Sequence, residues 1–235
     1  MIAARGDLAD LRLADRVFAP HYAAAVARTV AGQAPLLAEI GGTPVSEVLV
    51  GERFDVLELS QGTAWGVAAD GAVGFVPIEA LSPLATVSHL VVAPGTPLPI
   101  GSRVSAAAAA TFDATAVRPL AGPHLSVAEA AEALVGVPFL AGGRSGLGCD
   151  AGGLIVLALA LAGIAAPRFT DLQAPTLGSG VDDPTDVQRG DLLFWGEQAG
   201  VAADDTRVIH AGAQGVVAIE RSFIPPDQIV VRRLP

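Results

Sequence analysis

Cys149 and His210 are the side chains of this chain best suited to nucleophilic chemistry, and Asp150 stands directly beside the first of them. A thiol attacks a carbonyl carbon as its thiolate, which is favoured at a helix N-terminus or beside a cation. The proton must go to a neutral imidazole within hydrogen-bond reach, and a further polar group must hold that imidazole in place. The chemistry such a set performs is acyl transfer at an amide. Cys149 is the only cysteine, which excludes an internal disulfide framework. His21, His89 and His124 lie in unrelated segments and form no metal-ligand spacing, so neither a metal nor another cofactor is expected. The glycine-rich run 142–148 lacks the Gly-Lys-Ser/Thr ending of a phosphate loop and reads as a tight connection into a helix.

The elements that must position these residues follow from local pattern. Ser126 and Glu129 form an S-x-x-E capping box, ahead of Val127, Ala130, Ala131, Leu134 and Val135 on one helical face, and Gly136 can end that helix. A second helix is expected to open near Asp150 and to run through LIVLALALAGI to Ala166-Pro167. It is apolar on nearly every side and therefore central. Strands are expected at DLLFWG, around Ala199–Ala203, and at RVIHAG, GVVAIERSF and IVVRRL. Helices followed by an antiparallel sheet make residues 123–235 an α+β domain. Upstream, residues 31–85 hold short apolar runs parted by Gly-Gly, Gly-Glu, Gln-Gly and Asp-Gly, the spacing of a small antiparallel β-barrel or sandwich. Asp70-Gly71 marks a hairpin within it. Residues 86–122 suggest two strands around a Pro/Gly turn and one more, too few for an independent core. Residues 1–30 read as an arm with helical patches, broken at Pro20.

The composition narrows the partners. All 14 basic residues are arginine and the formal charge is −10, which argues against nucleic acid or an anionic membrane surface as a partner. The apolar run 152–167 is too short to span a bilayer comfortably. The N-terminal stretch has scattered charges and no apolar core of a secretory signal, so a cytoplasmic protein is expected.

Two motifs carry a resemblance to a known family. Residues 138–154, PFLAGGRSGLGCDAGGL, resemble the nucleophile segment of NlpC/P60 cysteine peptidases, P-Y-x-W-G-G-R-[ST]-x-x-G-x-D-C-S-G-L. Residues 189–195, RGDLLFW, are similar to the family's R-G-D-L-x-F-W element, which precedes x-G-H-V-[GA]-I. The resemblance implies a papain-like fold at residues 123–235, preceded by a bacterial SH3-like β-barrel module at 31–85 and a reduced second SH3-like segment or linker at 86–122. It also implies an ancestry of cleaving murein-derived peptides between D-glutamate and a diamino acid.

Position by position, the resemblance places Ala151 at the nucleophile, Gln198 at the base and His210 at the third polar residue of the triad. Alanine has no nucleophile, and a glutamine amide cannot act as a base near neutral pH. Ala72 falls where relatives use a tyrosine of the SH3-like module to line the cleft. Phe139 and Ala141 replace a Tyr and a Trp, and Gly152 replaces a Ser. Asp150, which in relatives helps bind the substrate's free amine, is retained. The resemblance therefore implies a pseudoenzyme, with Asp150, Gln198, His210 and Ala72 as its candidate ligand contacts. It would take a cell-wall-derived peptide or a partner protein in the former cleft, or serve as an assembly subunit; the oligomeric state is open. The rival is an active hydrolase using Cys149, with His210 as base. Two extended residues separate Cα atoms by roughly 6–7 Å, so this rival needs a rearranged loop, and the alternative for Cys149 is a small buried side chain. His210 reads either as that base or as a hydrogen-bonding remnant, with Gln198 as partner. Asp150 reads as a ligand contact, as a helix N-cap, or as both.

Overall fold

The computed structural model describes residues 2–225 and 228–235. The chain opens with two short strands, β1 (Leu8–Asp10) and β2 (His21–Ala23), which pair in parallel. The arm thus holds strands and a single 3-10 turn at Leu11–Leu13, not the expected helical patches. Pairing of β1 with β2 and local hydrogen bonds fix this: Asp10 caps the turn through Arg12 N, while the Tyr22 hydroxyl donates to Val17 O and accepts from Ala19 N.

The β-rich module expected at 31–85 is a seven-stranded antiparallel sheet. Its strands are β3 (Val26–Val30), β4 (Ala34–Leu37), β5 (Pro44–Val48), β6 (Arg53–Ser60), β7 (Thr63–Ala68), β8 (Val73–Pro77) and β9 (Leu81–Pro83), in the order β5-β4-β8-β7-β6-β3-β9. Its first strand lies before residue 31. The Asp70-Gly71 hairpin joins β7 to β8 as expected, with Gly71 at φ 80°. Inward residues from β3 through β8, including Val30, Leu36, Val48, Phe54, Ala64 and Val76, share one core.

Residues 86–122 hold three strands, β10 (His89–Val91), β11 (Arg103–Val104) and β12 (Val117–Pro119), in the order β11-β10-β12, with one helical turn, α1 (Ala106–Ala109). Val91, Val104, Ala109 and Val117 form a four-residue core there, while Leu90 and Ile100 join the core of the next unit.

That unit begins with α2 (Val127–Glu132), opened by the Ser126/Glu129 capping box. α2 stops earlier than its apolar pattern indicated: Leu134 is buried, but Val135 is half exposed. A tight hairpin, β13 (Arg144–Ser145) with β14 (Gly148–Cys149), leads into α3 (Ala151–Leu161). α3 ends before the expected Ala166-Pro167, because Gly163 turns the chain at φ 76°. There follow α4 (Thr170–Thr176), β15 (Ser179–Val181), β16 (Leu192–Trp195), β17 (Gln198–Ala202), β18 (Arg207–Gly212), β19 (Gly215–Glu220) and β20 (Val230–Arg233). The sheet order is β15-β20-β16-β17-β18-β19, antiparallel throughout.

Ten of the eleven residues of α3 are buried, so the helix is central as its composition required. It packs with α2 onto one face of this sheet, against Leu192, Phe194, Ala199, Val201, Ile209 and Ala211. The intervening side chains Leu193, Ala202, Val208 and Trp195 fill a second layer on the other face, the two-residue alternation of a strand. Among the described residues, no helix is long and apolar enough to cross a membrane.

Candidate functional site

A cavity of about 770 Å³ opens at the N-terminus of α3. Asp150, Ala151 and Gly152 form its floor, Phe139 and Phe169 are its aromatic walls, and Glu197 and Gln198 face in from the start of β17. The sequence therefore brings Asp150, Ala151 and Gln198 to one cavity, as their motif positions implied. It does not bring Cys149, Ala72 or His210 to the lining of that cavity.

Cys149 is fully buried in the core shared with α3. Its backbone is fixed on both sides: its N–H donates to Pro138 O at 3.0 Å, and its C=O accepts from Leu140 N at 3.2 Å. Burial, reinforced by the nearby Asp150 and Glu47 carboxylates, pushes the thiol pKa up to about 12. That is the opposite of an activated nucleophile. Cys149 takes the buried-side-chain reading.

His210 sits on β18, paired with Gly200 of β17, with its ring centroid 6.0 Å from that of Trp195. Its Nδ1 is buried with no hydrogen-bond partner among the described residues, so the expected bond to Gln198 is not formed. Burial lowers the imidazole pKa, which keeps the ring neutral near pH 7. Ala72 is buried in the core of the seven-stranded sheet, its N–H held by Asp70 Oδ1 at 3.0 Å, and contributes no cleft wall. Phe169, which does line the cavity, packs against that same core, so the aromatic surface reaches the cleft from the α3–α4 connection instead.

Asp150 caps α3 through Gly153 N–H, 2.8 Å from Oδ1. It also accepts from Gly142 N–H at 2.9 Å through Oδ2. The remaining positions are taken by Arg168, whose Nη1 donates to Oδ1 at 2.9 Å and Nη2 to Oδ2 at 2.7 Å. Arg168 is itself buried, with Nε donating to Ser46 Oγ at 2.9 Å. Its backbone N–H donates to Asp70 O at 3.1 Å, tying this segment to the β7–β8 hairpin. Gly152 makes room for this arrangement: a Cβ there would lie 2.6 Å from Arg168 O and 3.0 Å from Nη1. Gln173, fully buried, donates from Nε2 to Gly152 O and Pro167 O and locks the same turn.

Below the floor lies a second buried ionic group. Arg144 pairs with both Glu52 oxygens, donates from Nε to Glu47 O at 2.9 Å, and gives its backbone N–H to Glu47 Oε1 at 2.7 Å. Asp70 Oδ2 lies 3.0 Å from Arg144 Nε. Burial raises the Asp70 pKa against the pull of Arg144, whereas the bidentate Arg144 contact holds Glu52 below its ordinary value despite its own burial.

Neither Arg168 nor the role of Arg144 was evident in the sequence. The available signal was an arginine standing alone beside the apolar stretch ending in Ala166-Pro167, and another inside the glycine-rich hairpin. A buried arginine needs paired carboxylates, but its partners could not be read from spacing.

The NlpC/P60 family model matches residues 136–225. No curated protein matches. Among solved structures, an NlpC/P60 family protein from Bacillus cereus is similar at a TM-score of 0.74 and 15% identity, covering 89% of this chain and 100% of its own. NlpC2 from Trichomonas vaginalis matches at a TM-score of 0.49 and 14% identity, covering 90% and 98%. The peptidoglycan hydrolase RipB from Mycobacterium tuberculosis matches at 0.37 and 25%, covering 48% and 68%. The Bacillus cereus likeness extends through the β-rich N-terminal half and is one of fold.

Proposed function

From the premise that residues 136–225 form an NlpC/P60 family domain, we propose that this chain is a non-hydrolytic member that binds a peptide ligand or partner protein in the former active-site cleft. One observation carries the reading: the cavity at the N-terminus of α3 is open, yet it offers Ala151 and Gln198 where acyl transfer needs a thiolate and a base. The chain's one thiol is sealed away behind it with its pKa pushed up. An open cleft with aromatic walls favours ligand binding over a purely scaffolding subunit. We read the seven-stranded sheet as an SH3-like module and residues 86–122 as the remnant of a second; short antiparallel strands with tight Gly turns support this.

The test is incubation of the wild-type protein with L-Ala-γ-D-Glu-diamino-acid peptides. No cleavage is expected, while protected peptides perturb the resonances of Gln198 and Thr170 at the cleft. Turnover abolished by Cys149→Ser would overturn the reading in favour of an active hydrolase.

A further inference from the structure

The cleft at the head of α3 adjoins a second cavity, of about 340 Å³, between the hairpin before α3 and the edge strand β5. Ala141 lines both cavities and is exposed, so an alanine is the ridge between them. Pro35, Pro44, Leu140 and Leu147 give the second cavity an apolar wall, and Leu140 and Leu147 are 47% and 61% exposed. Its one carboxylate, Glu47, is buried, with Oε1 taken by Arg144 N–H and Oε2 by Gln33 Nε2. Large apolar side chains left in water side by side mark a contact surface.

The first cavity is charged differently. Asp150, Asp171 and Glu197 line it against a single cation, Arg168. Asp150 and Arg168 cancel each other in a bidentate pair. Asp171 and Glu197 are exposed, and among the described residues neither side chain makes an ion pair. The groove thus has an acidic end and an aliphatic end.

We propose that this groove binds an extended basic-aliphatic segment of a partner protein. An arginine or lysine side chain sits at Asp171 and Glu197, and a leucine-sized side chain of the same segment crosses Ala141 into the second cavity. The proposal rests on the reading of the cleft as a binding site and names the chemistry of its partner. Complementarity selects this occupant: a cationic side chain is attracted to two uncompensated carboxylates, and an aliphatic one gains by leaving water. A γ-linked murein peptide keeps a free α-carboxylate on its glutamate, a like charge to Asp171 and Glu197. The motif that residues 138–154 resemble has Trp at position 141, a side chain bulky enough to block the crossing, so the continuous groove goes with the alanine of this chain.

The probe is acetyl-Arg-Leu-Arg-Leu-Arg-amide, whose side-chain order reads the same in both directions. It is compared with its citrulline-for-arginine and alanine-for-leucine analogues and with an L-Ala-γ-D-Glu-diamino-acid peptide. Binding is measured by NMR titration, following Ala141, Leu147 and Glu197, with folding checked from amide dispersion. The wild type should prefer arginine to citrulline by about fivefold, the scale of two partly exposed ion pairs. It should prefer leucine to alanine by about tenfold, as burial of most of one leucine side chain gives. The murein peptide should bind more weakly than the arginine–leucine probe. Asp171→Asn combined with Glu197→Gln should erase the first preference and keep the second, and Ala141→Trp should do the reverse. If Ala141→Trp does not fold, Leu147→Ser takes its place.

An arginine preference that survives neutralisation of both carboxylates reflects the overall charge of −10 and overturns the proposal. A leucine preference that survives Ala141→Trp, or Leu147→Ser in its place, overturns it as well. Tighter binding of the murein peptide overturns it and leaves the binding reading standing. Shifts at these residues that grow with protein concentration alone assign the groove to a second copy of the chain and also overturn it. A wild type that binds neither the probes nor the murein peptide refutes the binding reading and the proposal together.

Discussion

At the scale of single residues, position 149 and position 151 are two places apart in the chain but differ in every property that matters to a thiol. Cys149 is walled into a hydrophobic core, and a pKa near 12 leaves only about one thiolate in ten thousand at pH 8. Alkylation of the native protein by iodoacetamide at pH 8 should therefore be slower by several orders of magnitude than that of the unfolded chain; rapid labelling would contradict the burial. Residue 151 begins a helix and faces the cavity, so a thiol placed there sits in the positive end of the helix dipole. In the Cys149→Ser background, Ala151→Cys should alkylate at least about tenfold faster than Cys149 does in the wild type. It should still show no peptide turnover, because Gln198 has no proton-accepting nitrogen.

At the scale of elements, the start of α3 is held by one carboxylate in two ways. Asp150 supplies the N-cap and neutralises Arg168. Loss of a cap alone costs about 1 kcal/mol, whereas a buried charge left without its partner costs about 3–5 kcal/mol. Asp150→Ala should thus destabilise by the larger amount, measured in urea unfolding. Replacing Arg168 with Met in the same chain should recover much of it, and a loss of only about 1 kcal/mol would show that the ion pair contributes little. The body of the helix follows from packing: Leu157→Ala, fully buried in the core that α3 shares, should cost about 2–5 kcal/mol by the same measurement.

At the scale of the whole molecule, the N-terminal sheet and the α+β unit share a buried ionic joint. Arg144 of the hairpin before α3 reaches Glu47, Glu52 and Asp70, residues of the other unit. The floor of the cleft is therefore braced by a sheet distant from it in sequence. The joint holds more carboxylates than Arg144 can satisfy, and Asp70 bears the excess, with its folded pKa above the ordinary 3.8. A carboxyl with a raised folded pKa takes up a proton more readily in the native state. Its stabilising contribution is full below about pH 4 and is lost as pH rises through the folded pKa. Asp70→Asn, which keeps an oxygen for the Ala72 N–H, should raise the midpoint of thermal unfolding at pH 7 relative to wild type. The advantage should shrink to nothing as pH falls toward 4. An advantage that instead grows on acidification would reverse the assignment.

What the sequence alone determined was carried by short-range signals. The Ser126/Glu129 box, the Asp70-Gly71 hairpin, the Asp150 cap and the alternation in residues 192–195 each rest on bonds or periodicities spanning two to four residues, and each appears in the structure. The motif around Ala151 and Gln198 was legible for the same reason, and both residues reach one cavity. The N-terminal arm misled because its local pattern is weak and pairing with β2 overrides it. Only the tertiary structure decided how Asp150 is used, since its partner Arg168 lies 18 residues on, beyond the end of a helix. It alone joined Arg144 to Glu52 across 92 residues, left His210 without its expected partner and sealed Cys149 into the core. Those outcomes depend on which buried charges find compensation once the two sheets come together, and no local periodicity encodes that.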